Sequence, residues 1–320
     1  MKNKILVTGG AGFIGSNFIH YILDKYPDCK VVNLDKLTYA GRKENLKDLE
    51  HNPRYSFIKG DVCDSKIVAK AIKGCERIVH FAAESHVDRS IADAREFIHT
   101  NVLGTHVLLE AARKQKISLF CHISTDEVYG SRMKGSFKET DALEPSSPYS
   151  ASKAAADHQV ISYYITYKLP IIIIRPTNNF GPFQFPEKII PLFVTNILEG
   201  KKVPVYGDGQ NVRDWLYVLD CCAAIDFIVH KGKIGEIYNL AGKNEMKNLD
   251  LTRLILDIMN QSESFIKFVK DRPGHDRRYS LDNTKLKKLG FISQHDFTKA
   301  LQDTVEWYRN NRKWWKALKS

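Results

Sequence analysis

Gly9-Gly10-Ala11-Gly12-Phe13-Ile14-Gly15 follows a short apolar run, Lys4 to Thr8, and precedes an amphipathic segment that extends to about Lys25. Strand, glycine turn and helix is the setting that a dinucleotide-binding loop requires. Glycines at 9, 12 and 15 permit a tight turn, close backbone approach to a pyrophosphate, and close helix–strand packing. The helix N-terminus then faces the phosphates. A glycine triplet alone is a weak signal, and here the next strand strengthens it. Lys30 to Leu34 ends in Asp35, about twenty residues past the glycines, where an acid hydrogen-bonds the adenosine ribose. That carboxylate repels a 2′-phosphate, so NAD is favoured over NADP, although Lys36 and Arg42 keep NADP open as an alternative.

The alternation continues outward from this unit. Tyr55 to Lys59 reads as a third strand before Gly60-Asp61-Val62. Arg77 to Ala82 is a fourth, leading into Ala83-Glu84-Ser85-His86, and a long helical pattern runs from about Ile91 to Lys114. Ile117 to Ile123 and Leu169 to Arg175 are the fifth and sixth strands. Repeated strand–helix units predict an α/β fold with a Rossmann-type, doubly wound parallel sheet. Asp61 and Val62 would flank the adenine, and Ala82 and Ala83 would let the cofactor lie close to the backbone.

Near residue 177 the pattern changes. Pro176 to Pro182, Phe185-Pro186-Glu187-Lys188 and Gly200 to Gly209, with Pro204-Val205-Tyr206, read as loops. Strands are expected over Val212 to Val218 and Ile237 to Leu240. Helices are expected over Cys221 to His230, Leu249 to Met259 and Phe297 to Asn310. The expected organisation is an NAD-binding domain over 1–177, with returns near 210–242 and 290–309. Residues 178–320 would form mainly a smaller α/β lobe for the substrate. Arg213, Arg272 and Arg277 suit a diphosphate clamp, and each suits a structural ion pair equally well.

Ser124-Thr125-Asp126-Glu127-Val128-Tyr129-Gly130 follows the fifth strand. Burying charge is costly unless it is paired or used, and ligands collect beyond the carboxyl ends of strands in open α/β sheets. Thr125, Asp126 and Glu127 are therefore a candidate acid/base centre; a solvated acidic loop is the alternative. Neighbours in a regular strand point to opposite faces, so both carboxylates serve one ligand only if the chain turns at Asp126. Tyr149-Ser150-Ala151-Ser152-Lys153 opens a helix that runs to about Tyr167 and places Tyr149 and Lys153 on one face. An ammonium beside a phenol lowers a pKa that is normally ~10, so the pair is a candidate base near neutral pH.

The chain of 320 residues is long enough for one large α/β domain and a smaller lobe. Its net charge of +11 is spread along the sequence. The densest basic group, Arg312-Lys313-Trp314-Trp315-Lys316, carries no nucleic-acid-binding motif; a solvated basic surface is expected there, with no nucleic-acid partner. No apolar run reaches the ~18 residues needed to span a bilayer. Lys2-Asn3-Lys4 precedes only Ile5-Leu6-Val7, too short for a signal-peptide core. These features predict a cytoplasmic protein without a membrane partner. None of the six cysteines forms a Cys-x-x-Cys pair, so they read as buried or idle thiols, and no metal site is expected.

Taken together, Gly9 to Gly15, Asp35, Thr125 and the Tyr149/Lys153 pair resemble the extended short-chain dehydrogenase/reductase family of nucleotide-sugar enzymes. Within it the chain is most similar to the dTDP-glucose 4,6-dehydratase family. Ala82 to Ser90, Ser124 to Gly130, Asn178-Asn179, Phe185 to Lys188, Arg213-Asp214-Trp215 and Arg272 to Tyr279 carry the likeness along nearly the whole chain. Asp126 and Glu127 discriminate: related epimerases have small or apolar residues there, and related decarboxylases typically keep only the glutamate. Pro176-Thr177 replaces the usual Cys-Ser and Phe180 the usual Tyr, and neither change removes a titrating catalytic group.

The resemblance implies NAD as cofactor and a nucleoside diphosphate glucose as substrate, dTDP-glucose favoured, within deoxysugar (rhamnose-type) biosynthesis. It implies transient C4 oxidation, loss of water across C5–C6, and hydride return to C6. Tyr149 would take the 4-hydroxyl proton, with Lys153 holding it ionised and binding the nicotinamide ribose, and Thr125 would hydrogen-bond the same oxygen. Glu127 would be the base at C5 and Asp126, kept protonated, the acid at the 6-hydroxyl. Further cofactor contacts would come from Phe13, Ile14, Lys36 and Thr38, and from Phe81, Ser85, Thr100 and Asn179. Substrate contacts would come from Ser85, Asn178, Lys188, Pro204 and Tyr206, and from Arg213, Asn248, Arg272 and His275. A homodimer is implied as well. The alternatives are a UDP-glucose 4,6-dehydratase or UDP-hexose epimerase and, of a different class, a non-catalytic dinucleotide sensor. Intact Thr125, Tyr149 and Lys153 argue against the sensor.

Overall fold

The structure, a computed structural model, describes residues 4–319; the Lys2-Asn3 pair lies outside them. The strands are β1 (Lys4–Thr8), β2 (Lys30–Asp35), β3 (Tyr55–Lys59), β4 (Arg77–His80), β5 (Leu119–Ile123), β6 (Ile171–Pro176), β7 (Asn178–Phe180), β8 (Val203–Tyr206), β9 (Val212–Tyr217), β10 (Ile237–Leu240), β11 (Glu245–Lys247) and β12 (Ile266–Val269). Seven of them form one parallel sheet in the order β10-β6-β5-β4-β1-β2-β3. β1 has β2 on one side and β4 on the other, so the winding reverses there and a crevice opens beyond the carboxyl ends of β1 and β4.

The side-chain period of two sorts the sheet residues into two cores. Ile5 and Val7 enter the core that holds Phe18, Ile22 and Ile225, whereas Leu6 enters the one that holds Leu108 and Val160. β5 and β6 are buried along their whole length, the signature of parallel strands covered on both faces. Beyond this sheet lie a three-stranded sheet, β11-β9-β7, and the pair β12-β8.

Several expectations need correction. The Gly200–Gly209 stretch contains β8, and Pro204 fits because β8 has β12 as its one partner, leaving an edge where a missing N–H is harmless. The Pro176–Pro182 loop contains β7, which pairs with β9. The helix expected over Ile91–Lys114 is broken into Val87–Ala92, Arg95–Phe97, a π-helical stretch Ile98–Gly104, and Thr105–Gln115. π-bulges commonly mark functional sites. Here the stretch carries Asn101, whose amide accepts from Glu84 N at 2.9 Å and donates to Glu84 O at 3.0 Å and Ser152 Oγ at 2.8 Å, pinning the segment after β4.

The basic C-terminal group is not simply a solvated surface. Arg312–Lys319 is a helix whose Trp315 is fully buried, with its indole N–H on Tyr308 O at 2.8 Å. Lys319 Nζ binds Asn196 Oδ1 at 2.8 Å and Glu199 Oε2 at 2.9 Å. Aromatic and basic residues alternate at helical spacing, so the rings face inward while Lys313 and Lys316 stay exposed. Among the described residues all six cysteines are free thiols, and no helix is long and apolar enough to cross a membrane.

Candidate active site

The glycine turn builds the first wall. Gly9 has φ +69°, and a Cβ there would lie 2.5 Å from Ala82 N, so only glycine fits. A Cβ on Gly15 would lie 2.4 Å from Gly9 O, which is how closely the helix start packs on the turn. Helix Phe13–Lys25 begins at Gly12 with no side-chain cap, leaving its first N–H groups for an anion. Asp35 is buried at the end of β2; its two oxygens accept from Ala11 N at 2.9 Å and Leu37 N at 2.8 Å. Burial raises its pKa, and these two backbone bonds oppose the rise.

Around this turn runs a cleft of about 1200 Å³ including its open mouth. Gly9, Gly12, Phe13, Ile14 and Gly15 line its floor; Asp35, Lys36, Thr38, Asp61 and Val62 line one end. Phe81, Ala82, Ala83, Ser85 and Thr100 line the side, and Tyr149 and Lys153 the other end. Lys36 pairs with Asp61 at 2.9 Å. Asn179 lies off this wall, its amide donating to Thr177 O at 2.9 Å. Ser124 Oγ, buried in the cleft, has no hydrogen-bond partner among the described residues. A glycine cradle, an uncapped helix start, a ribose-reading acid and an unspent hydroxyl fit a dinucleotide. Sequence reasoning missed Tyr39, which also lines the cleft and is sandwiched between the Arg89 guanidinium at 3.8 Å and an edge contact with Phe185. Nothing in its local pattern marked it.

A second groove adjoins the first at Glu187 and Lys188, which line both. Asn178, Pro204, Tyr206, Arg213, Asn248, Arg272 and His275 converge on it, with Glu127. Ser85 stays on the first cleft, where its carbonyl accepts from Lys188 Nζ at 3.0 Å. Arg277 does not line the groove and forms a two-bond pair with Asp208 at 2.8 and 2.9 Å, so the clamp reduces to Arg213 and Arg272, which do line it, Arg272 also meeting Asp88 at 3.2 Å. Asn178 Oδ1, Asn248 Oδ1 and Arg272 Nε are buried without partners among the described residues. Native proteins rarely leave such atoms unpaired unless a ligand or ion takes them.

Where the two clefts meet, the chain turns at Asp126. Thr125 is extended and caps a short 3₁₀ helix, Asp126–Tyr129, its hydroxyl accepting from Glu127 N at 3.3 Å. Glu127 thereby faces the groove. Asp126 is 3% exposed and lies on the wall of neither cleft. Its oxygens accept from Thr125 Oγ1 at 3.2 Å and Thr177 Oγ1 at 3.1 Å. Burial, reinforced by the Glu127 charge, pushes Asp126 up to about 7. Burial also raises Glu127, but Lys188, Arg272 and Arg213 act to keep it ionised. Adjacent carboxyls in unequal surroundings suit opposite roles as acid and base.

The Tyr149/Lys153 pair differs from expectation. Lys153 Nζ donates to the Ile123 carbonyl at 2.7 Å. Burial brings Lys153 down to about 8, with Asp157 opposing. Tyr149 is held above, not below, its ordinary value, by burial first and the Glu127 charge second, with a hydrogen bond from Thr125 opposing. Desolvation dominates, and the carboxylates of Glu127 and Asp126 add to it. Asp157 was also missed, although the 149-153-157 spacing placed it on the same helix face. It is fully buried and pairs with Arg175 at 2.9 Å.

Asp126 has a consequence for stability. In an unfolded chain an aspartate titrates near ~3.9, against about 7 in the fold. Its contribution to folding is therefore complete below about pH 4 and is lost as pH rises to about 7. Asp126→Asn, neutral throughout, is expected to gain stability over the parent between about pH 4 and pH 8, by a few kcal/mol in order of magnitude. Urea unfolding at several pH values measures this; a difference that stays constant with pH contradicts it.

Residues 6–304 match the family described as GDP-mannose 4,6 dehydratase. The chain is 48% identical over 322 residues to the dTDP-glucose 4,6-dehydratase of Streptomyces niveus, covering 99% of this chain and 96% of that protein. Among solved structures it superimposes with TM-score 0.97 on DesIV, a dTDP-glucose 4,6-dehydratase from Streptomyces venezuelae with NAD and dTDP bound. Identity there is 49%, over 98% of this chain and 99% of that one. A UDP-glucuronic acid 4-epimerase from Bacillus cereus gives TM-score 0.91 at 30% identity, over 96% and 99% of the two chains.

Proposed function

The chain belongs to the GDP-mannose 4,6 dehydratase family, and from that premise we propose that it converts dTDP-glucose to dTDP-4-keto-6-deoxyglucose with NAD as its cofactor. The observation that carries this reading is the turn at Asp126, which sets a protonatable, buried carboxyl beside a glutamate ringed by three cations. An epimerase, which removes no water, needs no such pair.

The chemistry that NAD supplies when bound is removal of a hydride from C4 of the sugar and its return to C6. The glycine turn and the start of helix Phe13–Lys25 hold its pyrophosphate, and Asp35 its adenosine ribose. Arg213 and Arg272 bind the diphosphate of the sugar nucleotide. Tyr149 takes the proton of the 4-hydroxyl, Thr125 hydrogen-bonds the same oxygen, and Lys153, with the positively charged nicotinamide ring when NAD is bound, would offset the burial that otherwise keeps the phenol protonated. A 6-hydroxyl is a poor leaving group and C5–H is not acidic; a ketone at C4 changes the second. Glu127 then takes the C5 proton, and Asp126 gives its proton to the departing 6-hydroxyl, which leaves as water; as the hydride returns to C6, Glu127 gives a proton back to C5. Purified protein incubated with dTDP-glucose and, separately, UDP-glucose tests this. The dTDP-sugar is expected to lose the mass of one water. An isomer of unchanged mass would indicate an epimerase, dehydration of the UDP-sugar in preference a UDP-glucose dehydratase, and no product from either a dinucleotide sensor.

The same reading assigns 1–177, with later returns near 210–242 and 290–309, to NAD and 178–320 mainly to the sugar nucleotide. It places the protein in the cytoplasm. It also includes a homodimer. The packed helices Thr105–Gln115 and Pro148–Tyr167, with the turn before them, leave Ile98, Leu103, Ile165 and Tyr167 exposed, and closed two-fold dimers are the commonest soluble assembly. Solution scattering at micromolar concentration is expected to give twice the chain mass; a monomer contradicts it.

A further inference from the structure

The basic C-terminal helix plays no part in the chemistry above, yet it is tied to the dinucleotide cleft. Trp314 Nε1–H donates to Asn45 Oδ1 at 2.8 Å. Asn45 Nδ2 donates to the Ala11 carbonyl at 3.0 Å, and Ala11 N donates to Asp35 Oδ2 at 2.9 Å. Asn45 is 1% exposed and Ala11 fully buried. An indole N–H can only donate and a carbonyl can only accept, so the Asn45 amide has a single workable orientation. An aspartate there would set a carboxylate against the Ala11 carbonyl; a leucine would break both bonds.

With the helix before it, Phe297–Asn310, the C-terminal helix also reaches the opposite wall. Trp307 and Trp314 pack edge-on against Phe183, with centroids 5.0 and 6.2 Å away. Tyr308 Oη donates to the Gln184 carbonyl at 2.5 Å, and Gln184 and Phe185 line the cleft. Buried Trp315 and the Lys319 contacts anchor the helix itself.

We propose that helix Arg312–Lys319 is a strap for the dinucleotide cleft, in which Trp314 and Asn45 are positioning residues for the glycine turn and for Asp35. The ligand is the nicotinamide dinucleotide, so the inference rests on the functional reading above. Neither residue lines the cleft; each acts through the Ala11 backbone in the glycine turn, whose N–H holds the Asp35 carboxylate.

The test is calorimetric titration of protein stripped of cofactor, with NAD and with dTDP as probes. Trp314→Phe keeps the ring packing and removes the N–H; Asn45→Leu keeps the volume and removes both bonds. Each is expected to weaken NAD binding roughly 2–10-fold, the worth of a net hydrogen bond. The double variant is expected to bind NAD no more weakly than Asn45→Leu alone, because the two act through one chain of bonds. Affinity for dTDP is expected to stay at the parent value, which a general loosening of the fold would not allow. Parent-like NAD affinity in Trp314→Phe, fully additive losses, or an equal loss of dTDP affinity each overturns the inference. Should Asn45→Leu not fold, hydrogen exchange at the Ala11 amide in Trp314→Phe takes its place: faster exchange is expected, and parent-like exchange overturns it. A parent protein that does not bind NAD would instead overturn the functional reading.

Discussion

Asp126→Asn combined with Glu127→Gln is expected to stop the reaction after C4 oxidation. Both changes keep size and some hydrogen bonding but remove the acid and the base. Thr125, Tyr149 and Lys153 remain, so dTDP-glucose is still oxidised and the absorbance of reduced nicotinamide accumulates. Elimination stalls because nothing takes the C5 proton or protonates the 6-hydroxyl. Loss of a single general acid or base typically costs ~10²–10⁴-fold, and here both are gone. Stopped-flow absorbance is expected to show the reduced form rising and then persisting far longer than in the parent. Dehydration at the parent rate would mean that the carboxylate pair is not the acid/base centre. A folded variant that binds sugar but never reduces NAD would place the pair in the first step.

Tyr149→Phe is expected to remove most activity, ~10²–10⁴-fold, while the protein stays folded. The ring contributes packing beside Val87 and Phe97, which phenylalanine preserves. In the proposed mechanism the phenol oxygen takes the 4-hydroxyl proton, and its loss blocks oxidation itself, so no reduced nicotinamide should appear even transiently. This distinguishes it from the carboxylate variant, which fails later. Near-normal turnover with an unchanged melting temperature would remove Tyr149 from the base role.

Much of this site was legible in the sequence because its signals are local. A glycine turn between strand and helix, an acid ending the next strand, and a Tyr-x-x-x-Lys step opening a helix are fixed by spacing alone. What the sequence withheld depends on long-range contact. Whether Asp126 and Glu127 diverge as strand neighbours do was decided by the Thr125 cap and by Thr177, 51 positions away. The direction in which Tyr149 titrates differs from expectation because its burial and the Glu127 charge cannot be read from i, i+4 spacing. Arg277 looked like Arg213 and Arg272 until Asp208 claimed it. β7 reads as loop because amides fill it and prolines flank it, and β8 because of Pro204 and the glycines on either side; both are held as strands by partners distant in sequence. The C-terminal basic group was read by charge, whereas its tryptophans and Tyr308 decided its place.

The central claim is that one hydride leaves C4 and returns to C6 of the same sugar, with water lost between. dTDP-glucose labelled with deuterium at C4 tests it most directly. The expected product carries that deuterium in its C6 methyl group, together with one solvent-derived hydrogen at C5. Deuterium recovered at C4, or lost to solvent with no water eliminated, would contradict the account.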